Sequence, residues 1–152
     1  MTVSKSTMGT EMQVRTRAVA ILRRSGHRDE ILVTGGHNDR RNEDYFRPLA
    51  ADVAQGEHAG ETLRRVIHTT TGSDISDLRL LGSLEETHRG LSASVNEVTF
   101  VYEGTLVDTT LHTLDELELS TGALATWQPL ELFREDDAIL FPDGLLALLD
   151  RP

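Results

Sequence analysis

Most of the chain has the hydrophobic pattern of β-strands. Residues 95–102 show it most clearly, because Glu97 and Thr99 alternate there with Val98 and with aromatic side chains. Further strands are predicted at residues 14–23, 30–34, 78–84 and 124–127. The sequence Ser-Gly-His-Arg at 25–28 predicts a turn between the first two of these strands.

Residues 56–72 form the clearest helical segment. Leu63 and Ile67 are four residues apart, which predicts one core-facing stripe, and Gly72 provides a C-terminal stop. Residues 69–71 are all threonine, whose β-branched side chains disfavour a helix, so something beyond local propensity is expected to hold the last turn. Shorter helices are predicted at 129–134 and 144–150, and a surface loop at 35–44.

Strands around one central helix, with another helix at the end of the chain, predict an α+β domain arranged as an α/β/α sandwich. The length of 152 residues suits one domain, which we place at residues 13–152 after a polar, flexible tail at 1–12. The composition, 38% hydrophobic and 26% charged, excludes a disordered chain or a membrane-spanning one.

Charge and residue content narrow the expected partners. A net charge of -10 repels nucleic-acid backbone and anionic membranes, so neither is an expected partner. The chain has no cysteine, which excludes disulfides and thiolate chemistry, and the lack of an apolar export signal favours the cytoplasm. The basic pairs at 23–24 and 40–41 are interpreted as solvated loop charges, with contact to a phosphorylated small molecule as the alternative.

Residues 51–73 resemble the Nudix box, whose pattern is G-x5-E-x7-R-E-U-x-E-E-x-G-U with U a bulky aliphatic residue. Glu57, Arg65, Ile67 and Gly72 stand at matching positions without gaps. The flanking segments FRPLAA at 46–51, FVYEG at 100–104 and WQPL at 127–130 are similar to one subgroup of the same family. The sequence therefore resembles the Nudix (MutT-like) hydrolases from about residue 14 to residue 149.

This resemblance implies a Nudix fold, an α/β/α sandwich with a mixed central β-sheet, in which the box forms a loop-helix-loop. Family members hydrolyse a diphosphate linkage in nucleoside diphosphates joined to another group, using magnesium or manganese. The three box carboxylates that serve this chemistry lie at i, i+3 and i+4 on one helical face. Val66, Thr69 and Thr70 occupy those positions in this chain.

These replacements predict that the ordinary metal site is lost. Magnesium prefers hard oxygen ligands, whereas valine has no oxygen and threonine hydroxyls are neutral. We therefore expect neither a metal site nor a cofactor, and the six histidines show no zinc spacing. Glu57 and Arg65, the retained catalytic candidates, are interpreted as residues kept for folding. Ala50 and Ala51 replace the family's paired glycines, and a loop with positive φ would tolerate them poorly.

Other side chains are candidates for a site elsewhere. Glu97 matches a family glutamate and is the best candidate for a displaced metal ligand or base. Further carboxylates in the flanking segments are Asp52, Glu61, Glu85 and Glu86. Tyr45, Arg47 and Trp127 are candidates to line a pocket for a base or a phosphate.

The sequence leaves three functions open. The first is a domain that binds a small phosphorylated or nucleotide-like ligand, with weak or no ordinary hydrolase activity. The second is an active, divergent Nudix diphosphatase with a displaced magnesium or manganese site that depends on Glu97 or Glu57. The third is a non-catalytic structural or protein-interaction module, for example a homodimer subunit. For the first two, the loops at 35–44 and 87–94 are expected to select the ligand.

Overall fold

The computed structural model describes residues 12–89 and 94–151. The predicted tail at 1–12 lies outside the described residues except for Met12, which begins the first strand. The elements follow in the order β1 (Met12–Arg24), β2 (His27–Asn38), β3 (Glu43–Asp52), α1 (Ala59–Thr71), β4 (Ile75–Arg89), β5 (Ser94–Leu106), a 3-10 helix (Thr109–Thr113), β6 (Glu116–Glu118), β7 (Leu124–Pro129), α2 (Glu131–Arg134), β8 (Ile139–Leu140) and α3 (Leu145–Leu149).

The predicted α+β class and mixed sheet are confirmed. The strand order is β4-β5-β1-β3-β2-β7-β6, with β8 beside β3. The pairs β1–β5 and β3–β8 are parallel, and the other pairs are antiparallel. Within the described ranges, no helix has the length and the apolar character needed to cross a membrane.

The predicted surface loop at 35–44 is wrong. Strand β2 continues through Asn38 and β3 begins at Glu43, so only a short hairpin tip is left between them. Gly35 and Gly36 lie against aromatic rings of the partner strand. A Cβ atom on Gly35 would come 2.7 Å from Cε1 of Phe46, so glycine allows a close approach in a strand here.

Strand β3, which the sequence pattern did not predict, changes its pairing partner in the middle. Pro48 is the last residue opposite β2, and Leu49 is the first residue opposite β1. Ala50 and Ala51 lie in the half of β3 that pairs with β1, with no positive φ angle, so the expectation of a strained loop there is wrong.

Buried residues form two clusters, one on each face of β1, and these give the three-layer sandwich. On one face, Leu63 and Ile67 of α1 pack with no exposed surface against a cluster that includes Ala18. On the other face, Ile21 packs in a cluster with Leu145 and other residues of the C-terminal helices. Burying a leucine or isoleucine side chain contributes about 1.5–3 kcal/mol, so these contacts fix α1 against the sheet.

The last turn of α1 is held by side-chain and tertiary hydrogen bonds. The hydroxyls of Thr69 and Thr71 donate to backbone carbonyls four residues earlier, at 3.0 and 2.8 Å, and the hydroxyl of Thr70 does the same. The carbonyl of Thr70 also accepts from the backbone N–H of Ser120 at 3.0 Å. Gly72 ends the helix with φ of 81°, a left-handed conformation that favours glycine.

Two glycines offer a matched test of packing between the sheet and its neighbours. A Cβ on Gly104 of β5 would collide with Cγ2 of Ile75, so Gly104→Ala should lower the free energy of unfolding by about 1–3 kcal/mol. A Cβ on Gly60 of α1 would meet Tyr102 at an ordinary 3.5 Å, so Gly60→Ala should be neutral or stabilising by up to about 1 kcal/mol. Urea unfolding of both variants checks this; equal effects would contradict it.

Candidate functional site

A cleft of about 660 Å³ opens where β3 changes partner, beside the second half of α1. Much of its wall is apolar, including Val19, Leu49, Ile67 and Leu119. Its polar and charged groups come from several elements: Arg17, Thr34, Arg47, Thr70, Glu86, Glu97, Thr99, Thr121 and Asp143. A concave, mostly apolar site with a few polar groups is typical of a small-molecule pocket.

The box helix presents Val66 and Thr70 to this cleft, while Thr69 is exposed and lies outside its wall. The hydroxyl of Thr70 donates to the carbonyl of Val66, so its proton is already used within the helix. Within the part of the chain that the structure describes, no group of three or more His, Cys, Asp or Glu side chains could hold a metal ion. These donors do not fit a box-type magnesium site.

Glu57 organises the loop before α1. Its carboxylate accepts from the backbone N–H of Ala54 at 3.0 Å, from the hydroxyl of Thr62 at 3.2 Å and from Arg65 at 3.4 Å. The hydrogen bond from Ala54 and then that from Thr62 hold the pKa of Glu57 below its usual value against an opposing effect of burial, and the charge of Arg65 adds the smallest contribution. Neither Glu57 nor Arg65 lines the cleft.

Glu97 lies in the cleft wall, directly opposite Glu86 in the register between β5 and β4. The side chain of Glu97 is only 13% exposed, and a guanidinium nitrogen of Arg15 lies 3.9 Å from its carboxylate. The sequence named Glu97 and Glu86 separately; their juxtaposition follows from a strand pairing that one sequence does not reveal. Asp52 instead pairs with Arg17 at 3.1 Å.

Arg47 lies beside a pair of aromatic rings. Its guanidinium carbon lies 5.6 Å from the ring centre of Tyr45 and 5.5 Å from that of Phe141, and these two rings contact each other edge to face. Among the described residues, no hydrogen-bond acceptor or carboxylate engages the Arg47 side chain. The sequence missed Phe141, because nothing in the chain order indicates that it returns to the β3 strand.

A second depression of about 460 Å³, here called the outer pocket, adjoins the cleft. It is formed at the tip of the β2–β3 hairpin by His37, Asn38, Asp39, Arg40 and Tyr45, together with Arg47 and Phe141. Arg47 and Phe141 also line the cleft, so these two side chains stand at the junction of the two cavities.

Trp127 lies in the core instead of the cleft. Its ring is 7% exposed and stacks on His112 with ring centres 5.4 Å apart. The indole N–H donates to the carbonyl of Leu111 at 3.2 Å, and the guanidinium of Arg24 covers the ring. The geometry therefore explains Trp127 by packing and gives no support to its assignment as a ligand residue.

No protein-family model matches the sequence, and no curated protein shows significant similarity to it. Solved structures do match. A NUDIX hydrolase from Nitrosomonas europaea gives a TM-score of 0.63 at 16% identity, over 91% of this chain and 87% of that one. The MutT protein from Methanosarcina mazei Go1 gives 0.59 at 18% identity, over 93% and 94%. The E. coli ORF135 protein gives 0.54 at 14% identity, over 91% and 88%.

Proposed function

Because the chain has the Nudix fold, we propose that it binds a small phosphorylated or nucleotide-like ligand and has weak or no ordinary diphosphatase activity. The observation that carries this proposal is the surface of α1 that faces the cleft. Val66 and Thr70 stand there in place of carboxylates, and Thr69 replaces the third.

The loss of charge decides the metal question. A unit negative charge and a dication 4 Å apart attract each other by about 2 kcal/mol even at the dielectric constant of water, and more in a cleft. Three such charges are missing from one turn of helix. Without the ion, a Nudix-type site loses both the neutralisation of phosphate charge and the activation of the attacking water. Ordinary hydrolysis therefore has no support from the box.

The cleft itself supports ligand binding. Its volume of about 660 Å³ falls in the range of small-molecule sites, roughly 300–1,000 Å³. An apolar wall suits a base or another planar group, and the hydroxyls of Thr34, Thr99 and Thr121 offer hydrogen bonds in both directions. Arg47 brings a positive charge for an anionic group.

Titration calorimetry with manganese and a turnover panel test the proposal together. We expect no stoichiometric manganese binding at micromolar concentration, and no metal-dependent turnover of nucleoside diphosphate sugars, dinucleoside polyphosphates, ADP-ribose or oxidised nucleotides. At least one of these compounds should raise the melting temperature of the protein, because a ligand that binds only the native state stabilises it. Tight metal binding with turnover would overturn the proposal.

One observation favours a second candidate, a divergent diphosphatase with a displaced metal site. Glu86 and Glu97 face each other across β4 and β5 inside the cleft. Magnesium is often held by one or two carboxylates together with the phosphates of the substrate. This candidate predicts metal-dependent turnover that Glu97→Gln abolishes and that Glu85→Gln, on the same strand as Glu86 but outside the cleft wall, leaves unchanged.

A further inference from the structure

We propose that Arg47 binds the phosphate of the ligand without a metal ion, at the junction between the cleft and the outer pocket. The inference rests on the proposed function and goes beyond it by naming the countercharge and the ligand class. That class is an organic phosphate whose apolar or planar body lies in the cleft and whose phosphate lies at Arg47.

The first argument is that the Arg47 guanidinium makes no hydrogen bond to the described residues, whereas that of Arg17, the other arginine of the cleft, does. Arg17 donates to Asp52 at 3.1 Å, so its guanidinium already has a carboxylate partner. Within residues 12–89 and 94–151, the guanidinium of Arg47 meets aromatic faces but no acceptor. Contact with the rings of Tyr45 and Phe141 leaves the guanidinium N–H groups for an external anion.

The second argument is the uneven charge of the cleft. Glu86 and Asp143 give parts of its wall a negative charge that repels phosphate. Arg47 opens instead onto the outer pocket, where Arg40 adds a second positive charge. The acidic side chain in that pocket, Asp39, is 97% exposed, so solvent and salt screen its charge. An anion therefore has its most favourable position at Arg47.

The third argument is chemical. A guanidinium binds phosphate through two parallel N–H···O bonds, which are about twice as strong as neutral hydrogen bonds. It is always protonated, so it supplies its charge at any pH at which the protein is folded. Helix α1 brings no carboxylate into the cleft that could hold a dication. The guanidinium of Arg47 therefore takes the place of the metal ion as the group that neutralises the phosphate charge.

The test measures binding of inorganic pyrophosphate and ADP-ribose by titration calorimetry, first in excess EDTA and then in magnesium chloride. We expect binding in EDTA, with less than about a threefold change on adding magnesium. Arg47→Gln should weaken binding of both probes at least about tenfold, equal to 1.4 kcal/mol. Arg47→Lys should fall between, because lysine keeps the charge but loses the planar fork.

Arg28→Gln is the matched control. It removes the same charge from an exposed arginine outside both cavities. Circular dichroism should show that all three variants are folded, since Arg47 is exposed. Probe binding that requires magnesium, or equal losses in Arg47→Gln and Arg28→Gln, would overturn this inference and leave the proposed ligand function standing. Failure of both probes to bind under either condition would also overturn this inference, whereas the proposed ligand function is decided by the melting-temperature panel.

Discussion

Glu103→Ala is expected to lower the free energy of unfolding by about 3 kcal/mol. Glu103 is a buried carboxylate in β5 that accepts from Arg23 at 2.6 Å and from Arg79 at 2.8 and 3.2 Å. Removing it leaves the mostly buried Arg23 guanidinium with the carbonyl of Arg28 as its one remaining acceptor among the described residues. Breaking a buried ion pair costs about 3–5 kcal/mol, and the lower end applies because Arg79 is exposed and can turn to water.

Urea unfolding at neutral pH measures this effect, with Glu85→Ala as the control. Glu85 is an exposed glutamate on the neighbouring strand β4, and its loss should change stability by less than about 0.5 kcal/mol. The double variant Arg23→Ala/Glu103→Ala should be less destabilised than the sum of the single variants, because removing both partners leaves no buried Arg23 charge without its carboxylate. A loss of stability in Glu103→Ala no larger than that in Glu85→Ala would show that the ion pairs of Glu103 with Arg23 and Arg79 contribute nothing to stability.

The same carboxylate gives the protein an acid-sensitive component of stability. Burial alone would raise the pKa of Glu103, but the hydrogen bonds and charges of Arg23 and Arg79 hold it below its usual 4.5. A folded-state pKa below the unfolded value stabilises the protein above pH 4.5, and this contribution is lost as the pH falls through the folded-state pKa. Glu103→Gln should therefore lose less stability than the wild type between neutral and acidic pH.

The sequence predicted the elements whose hydrophobic pattern repeats within a single segment of the chain. Helix α1 was predicted at 56–72 and runs over Ala59–Thr71, because the spacing of Leu63 and Ile67 is set by a single helix. Strand β5 was found for the same reason, through alternation along one segment. Both elements turned out as predicted apart from their ends, which depend on neighbouring chain segments.

What the sequence did not predict depends on contacts between distant segments. Strand β3 carries FRPLAA, with proline and small residues that do not alternate, and it forms because one half pairs with β2 and the other with β1. The site was predicted in part for the same reason. The sequence named Arg47 and Glu97 as candidates. It did not show that Arg47 lies beside Phe141 or that Glu97 lies opposite Glu86, because these neighbours reach the cleft from other segments of the chain.

The four residues that match the pattern of the Nudix box all make structural contacts. Glu57 and Arg65 hold the loop before α1, Ile67 is fully buried, and Gly72 caps the helix in a left-handed conformation. The resemblance to the Nudix box implies a retained scaffold with a changed metal-binding face, and this proposal is testable by reversal.

The triple variant Val66→Glu/Thr69→Glu/Thr70→Glu should bind manganese at least about a hundredfold more tightly than the wild type, equal to 2.7 kcal/mol. Each restored carboxylate attracts a dication by about 2 kcal/mol, and repulsion among the three offsets part of that sum. Calorimetry measures the affinity, with Gln at the same three positions as a control of equal size and no charge. Equal binding by both triple variants, or wild-type binding as tight as that of the Glu variant, would contradict the account of the cleft.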